Sequence, residues 1–204
     1  FTYFAIVAAN PYDVVIDEIM ADETPAVGLP VREWIELKNT STTNSFNLQG
    51  WKLKDATGIS GAFPSYILPP NSYVILCSST SAGDLAAFGP TLSPTSFPSL
   101  NNTGEPLTLV NASGKVIHAV SYNLDWYHDA AKQDGGWTLE MINTKSPCSG
   151  ISNWKASTDV KGGTPGAINS ANGGTADLAG PKLLSAFVTD PTHIILYFDE
   201  TLDS

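Results

Sequence analysis

An all-β fold is predicted by three features of the chain. Short runs rich in β-branched and aromatic residues alternate in polarity with a period of two. Turn residues recur between these runs, and the 204 residues include 17 glycines and 14 prolines. No long segment places apolar residues at the 3.6-residue spacing of a helix. Short strands with turns about every 8–12 residues build a sandwich or a barrel.

The elements follow in order. Residues 13–21 (DVVIDEIMA) form a first strand, and 22–30, with two prolines and a glycine, a loop. Residues 32–39 (REWIELKN) alternate, with Ile35 and Leu37 on one face and Trp34, Glu36 and Lys38 on the other. A polar Thr/Ser/Asn loop spans 39–47. In 48–54 (LQGWKLK), Trp51 and Leu53 point inward and Lys52 and Lys54 outward. A turn at 55–61 leads to 63–68, and Pro69-Pro70-Asn71-Ser72 turns the chain into a buried strand at 73–77 (YVILC). Residues 78–98 are irregular, with one helical turn at 84–88. A hairpin joins 106–110 to 115–122 through Asn111-Ala112-Ser113-Gly114. A loop at 123–136 precedes 136–142 (GWTLEMI), where Trp137, Leu139 and Met141 share a face. Residues 170–180 read as a Gly-rich linker. Beyond it, 183–188 and 194–198 form a hairpin too small for its own core, the truncated start of another β unit over 181–204.

Charge and ends narrow the function classes. Ten basic residues against 20 acidic ones give −10 at neutral pH. Such a chain repels phosphate backbones, which argues against nucleic acid as a partner. No apolar run is long enough to span a bilayer directly. The chain opens on Phe1-Thr2-Tyr3-Phe4 and ends directly after a strand-like run, so 1–12 reads as belonging to a preceding region and both ends as cut from a longer polypeptide.

Few residues suggest chemistry. His118 sits in a strand, His128 in a loop and His193 in the last hairpin; there is no GxSxG, HExxH, Gly-rich phosphate loop or EF-hand pattern. No catalysis and no cofactor are expected. Asp13, Asp17, Glu18, Asp22 and Glu23 cluster, either as hard oxygen ligands for Ca²⁺ or as a solvated acidic edge; the absence of a spaced ligand set favours the edge. The sequons at Asn39, Asn101 and Asn111 carry no argument, because such short patterns arise by chance. Cys77 and Cys148 are too far apart for a redox or zinc motif, leaving two buried thiols or one disulfide. The 123–136 loop is the best candidate ligand surface. Adjacent Trp126 and Tyr127 cannot both face inward from an extended segment, so one is expected exposed beside Asp125, His128 and Asp129.

An ordered set of segments resembles the lamin tail domain in its bacterial form: VVIDEIMADETPAVGLP at 14–30, EWIELKN at 33–39, LQGWKLKD at 48–55, FPSYILPPNSYVIL at 63–76, LNNTGEPLTLVNASGKVIHAVSY at 100–122, GWTLEMI at 136–142 and SNWKASTDVKGGTPGAIN at 152–169. The family often has Asn where Asp17 stands. The resemblance spans 13–169 and implies an immunoglobulin-like β-sandwich, with Ile35, Leu37, Leu53, Val74, Leu76, Leu107, Leu109 and Val116 as facing core residues. It places Trp154 over an open end and reads 162–166 (GGTPG) as the chain's exit. The tail at 181–204 is similar to the opening of a bacterial Ig-like repeat.

What the resemblance implies is a non-catalytic binding, tethering or spacer module in a larger secreted or cell-surface protein. Its partners would be a protein or polysaccharide ligand and the attached domains of the same chain. The alternatives are a carbohydrate-binding module and an accessory domain shaping the cleft of an attached hydrolase. The exported context also implies a Cys77–Cys148 disulfide.

Overall fold

The computed structural model describes residues 5–173 and 182–198. The strands are β1 (Ala5–Val7), β2 (Val14–Met20), β3 (Trp34–Asn39), β4 (Asn44–Asn47), β5 (Lys52–Lys54), β6 (Ile67–Leu68) and β7 (Tyr73–Cys77). After the short helix α1 (Ala82–Leu85) come β8 (Thr91–Leu92), β9 (Gly104–Val110), β10 (Val116–Asn123), β11 (Leu139–Met141), β12 (Trp154–Ala156), β13 (Leu183–Asp190) and β14 (His193–Phe198).

One layer is a six-stranded sheet in the order β12-β11-β2-β3-β7-β8. Opposite it lie two three-stranded sheets, β10-β9-β5 and β1-β4-β6. A single core joins them: Ile35, Leu37, Val74, Leu76 and Trp154 from the large sheet meet Phe46, Leu53, Leu68, Leu107, Leu109 and Ile117. Each such side chain contributes about 1.5–3 kcal/mol by leaving water. A second cluster of Met20, Leu29, Trp34, Ile75, Cys77 and Leu85 covers one end of the large sheet's outer face. The alternation expected of β3 is therefore present, but its outer face is covered as well.

A β-bulge in β2 organises the sandwich. Ile16 pairs with Leu37 and Glu18 with Glu36, so Asp17 has no opposite residue. The bulge shifts the phase of the strand, and Ile16 and Ile19, three positions apart, both enter the core. The Ile16 amide is taken by His118 of β10, in the other layer, whose Nδ1 accepts it at 3.0 Å. His118 is thus neutral, with its proton on Nε2. Burial lowers its pKa to about 4, against the pull of the Pro147 backbone. Replacing His118 by Leu strands a buried N–H, and denaturant unfolding is expected to show a loss of about 1–3 kcal/mol.

Several expectations need correction. Val116 is 49% exposed, because a second bulge, between Val116 and His118, hands its core position to Ile117. The polar stretch 39–47 contains β4, and the irregular stretch 78–98 contains β8. The helical turn lies at Ala82–Leu85, two residues earlier than the sequence suggested.

Cys77 and Cys148 are not bridged. Cys77 pairs with Trp34 at one end of β3, buried, with Sγ 3.9 Å from Ser93 Oγ. Cys148 follows Pro147, which borders Tyr12, Asp13 and Thr40, at the Asn39 end of β3. Five residue steps along a strand separate those ends by about 16 Å, whereas a disulfide needs Cα atoms within about 7 Å.

β13 and β14 pair with each other, and Leu183, Leu184, Phe187, Val188, Ile194 and Leu196 on them are exposed. Most of the expected linker, the last six residues and Phe1–Phe4 lie outside the described residues.

Candidate functional site

The 123–136 loop does not present the expected aromatic surface. Its first part, Leu124–Tyr127, is a 3-10 turn, opened by the Asn123 side chain accepting the Asp125 amide. A 3-10 turn does not alternate as a strand does, so neighbours can turn inward together. Trp126 and Tyr127 are both buried, 7% and 3% exposed. Trp126 packs on Trp154 with ring centroids 5.7 Å apart, which closes the end of the sandwich. The Tyr127 hydroxyl donates to the Trp137 carbonyl, and burial raises its pKa. Asp125, His128 and Asp129 are exposed, but they serve the loop. His128 Nε2 lies 3.1 Å from the Ile151 carbonyl, and Asp129 accepts the Ala131 amide. Further along, Lys132 lies 4.1 Å over the Trp137 ring and donates to the Ser157 carbonyl. The loop is a cap held by its own turns and by contacts to Ile151, Trp154 and Ser157.

The unexpected chemistry lies on the outer face of the large sheet. Glu140 of β11 pairs with Glu18 of β2, and Glu18 with Glu36 of β3, a row of three glutamates across three strands. Asp17 joins them through the bulge. All four are buried, each at most 1% exposed. Like charges side by side, stripped of water, are costly unless neutralised or hydrogen-bonded. The segment 157–171 supplies the donors, crossing the row as a strap. Glu18 Oε1 accepts from Thr164 N at 2.8 Å and from Thr138 Oγ1 at 2.6 Å. Glu140 accepts from Thr164 Oγ1 at 2.9 Å, Ser170 Oγ at 2.8 Å and Ala171 N at 2.7 Å. Glu36 Oε2 accepts from Gly166 N. Asn169 completes the strap, its amide donating to the Asp17 and Met141 carbonyls, where the bulge leaves β2 and β11 unpaired.

These bonds do not meet the whole demand. Both oxygens of Asp17, Glu18 Oε2 and Glu36 Oε1 have no hydrogen-bond partner. The remaining cost appears as proton affinity. Burial raises Asp17 to about 7, with Lys38 pulling it down and Glu140 pushing it up. Burial first, then the neighbouring Glu140 charge, holds Glu18 well above the usual carboxylate range. Glu36 is raised in the same way, by burial and by Glu18. Of the acidic cluster read in the sequence, Asp13, Asp22 and Glu23 keep partial exposure, so the solvated edge holds for them and not for Asp17 and Glu18. Asp17 and Glu18 are buried, Asp13 caps the Asn10 amide and Asp22 the Thr24 amide. No group of three His, Cys, Asp or Glu among the described residues is placed to hold a metal ion. The sequence placed Glu36 on the correct face but read GGTPG only as an exit. A run of small residues able to lie flat against a sheet was the available signal for the strap.

The family model of the Lamin Tail Domain matches residues 7–124. The chain belongs to the lamin tail domain family. Comparison with curated proteins finds no match. The fold of this lamin tail domain is the immunoglobulin-like sandwich expected, a non-catalytic domain type. The match ends inside the Leu124–Tyr127 turn. β11, β12 and the strap lie beyond it, yet they complete the large sheet and cover its carboxylates. No described helix is long and apolar enough to cross a membrane.

Proposed function

We propose that this lamin tail domain is a non-catalytic binding and tethering module of a larger secreted or cell-surface bacterial protein, engaging a protein or polysaccharide partner. The observation that carries the reading is the family match over 7–124. Two features support it. The acidic and aromatic residues singled out in the sequence are absorbed by the strap, the caps and the core rather than arranged around a reacting centre. The β13–β14 hairpin exposes apolar residues such as Phe187 and Ile194, as the opening of a following β unit would.

The test is fractionation of the source cells, followed with an antibody against the 13–169 unit, with protease added to intact cells. Recovery outside the cytoplasm and digestion on intact cells are expected. Cytoplasmic protein protected from protease would contradict the reading.

A further inference from the structure

The structure carries a cleft of about 500 Å³, lined by Pro11, Tyr12, Asp13, Thr40, Thr144, Lys145 and Pro147. That volume lies within the ordinary range for small-ligand sites. Its walls combine one aromatic ring and two proline rings with an acid, an ammonium group and two hydroxyls.

Both walls are built before any ligand arrives. On one side Tyr12 holds a left-handed backbone, φ +69°. For a bulky residue this conformation costs on the order of 1–3 kcal/mol, and such strain concentrates at ligand clamps. The surroundings enforce it. Tyr12 N donates to the Ile117 carbonyl at 2.8 Å, and Thr40 Oγ1 donates to the Tyr12 carbonyl at 2.8 Å. The ring meets His118 edge-on, with centroids 6.0 Å apart. On the other side Asn153 clamps the 143–146 turn: its amide donates to the Asn143 and Ser146 carbonyls, and its oxygen accepts the Asn143 amide. Asn143 Oδ1 in turn accepts the Lys145 amide. The Lys145 side chain is left exposed to the cleft's solvent.

Asp13 and Lys145 both line the cleft but form no ion pair across it. A group fitting between them must donate to a carboxylate and accept from an ammonium, while its body lies against Tyr12 and the prolines. Vicinal hydroxyls on a pyranose ring do this: each hydroxyl donates and accepts, and the C–H face of the ring packs on an aromatic. We propose that the cleft is a binding site for a neutral sugar ring of an oligosaccharide, with Tyr12 as the platform and Asp13 and Lys145 as the hydroxyl partners. The proposal deepens the reading of the chain as a binding module and rests on it.

The experiment is an NMR titration of the whole chain with cellohexaose, xylohexaose, mannohexaose and laminarihexaose, with tetra-alanine as a zwitterionic control. The expected result is saturable shifts of the Tyr12, Thr40 and Lys145 amides with at least one of the sugars. Lys145→Ala and Asp13→Asn should each weaken that binding roughly ten-fold, about the value of one hydrogen bond to a charged group. Tyr12→Gly removes the ring while suiting the left-handed backbone, so it should abolish binding with the fold intact. Binding of none of the four sugars, binding unmoved by these variants, or shifts at the cleft with tetra-alanine alone would overturn the proposal. None of those outcomes touches the cell-fractionation result, so the two readings fail separately.

Discussion

Asp17→Asn should make the domain more stable above pH 7 and no more stable at pH 4. The folded pKa of Asp17 is raised by burial from 3.8 to about 7. Below 3.8 the residue is protonated in both states and contributes nothing to pH dependence. Between 3.8 and 7 the folded chain keeps a proton that the unfolded chain has released, so stability falls as pH rises through that window. Above 7 the full penalty is present, on the order of 4 kcal/mol. Asn is neutral at every pH and removes it. Neither Asp17 oxygen makes a hydrogen bond in the fold, and an amide donor left unmet in their place costs about 1–3 kcal/mol at all pH values. Urea unfolding is therefore expected to show a net gain of a few kcal/mol at most at pH 8.5 and a loss at pH 4. His118 acts in the opposite sense. Its folded pKa is lowered to about 4, so stability is lost as pH falls from 6.5 through 4. Because His118 is common to both proteins, the difference between variant and parent isolates Asp17. Parallel pH profiles would show that Asp17 is ionised throughout.

Gly166→Ala should cost about 3–5 kcal/mol, read as a fall in the melting temperature of roughly 10 °C. Gly166 has φ +77°, and a Cβ there would collide with the Phe88 carbonyl. The strap must lift, which withdraws the Gly166 amide from Glu36. Glu36 Oε1 has no partner already, so a buried carboxyl would lose its one donor. Gly114→Ala is the control. It carries a similar backbone angle, φ +85°, but its Cβ meets nothing within 4 Å. It should cost only the conformational strain, about 1–2 kcal/mol. Equal losses for the two variants would mean that the strap contributes nothing beyond its backbone angle.

Much of the sandwich was legible because its strands are held by simple alternation. In β3, Ile35 and Leu37 read as inward and are fully buried in the core. The same holds for Leu53, Val74 and Leu76. Departures arise where local geometry breaks the period of two. The bulge before His118 exchanges Val116 for Ile117, and no residue type announces it. The 3-10 turn at Leu124–Tyr127 buries two consecutive aromatics that an extended chain would separate. Asn44–Asn47 has the composition of a loop and becomes a strand because Asn39 ties it down, donating to the Asn44, Leu68 and Pro69 carbonyls. The strap was the least legible part. Its hold on Glu18 spans 146 positions of sequence, and nothing in VVIDEIM or EWIELKN says that the polar face has a cover. The cleft at Tyr12 was invisible for a related reason, since it joins three segments that lie far apart in the chain.

A strap covers the row of carboxylates, and burial beneath it raises the pKa values of Asp17, Glu18 and Glu36 above the usual carboxylate range. The most direct measurement is a ¹³C NMR titration of the side-chain carboxyl resonances between pH 3 and pH 9. Asp17 is expected to titrate with a midpoint about 7, and Glu18 and Glu36 well above the usual carboxylate range. Midpoints for Asp17, Glu18 and Glu36 in the ordinary range of about 3.5–4.5 would contradict it, because those groups would then be ionised and in water, with the strap undocked from the sheet.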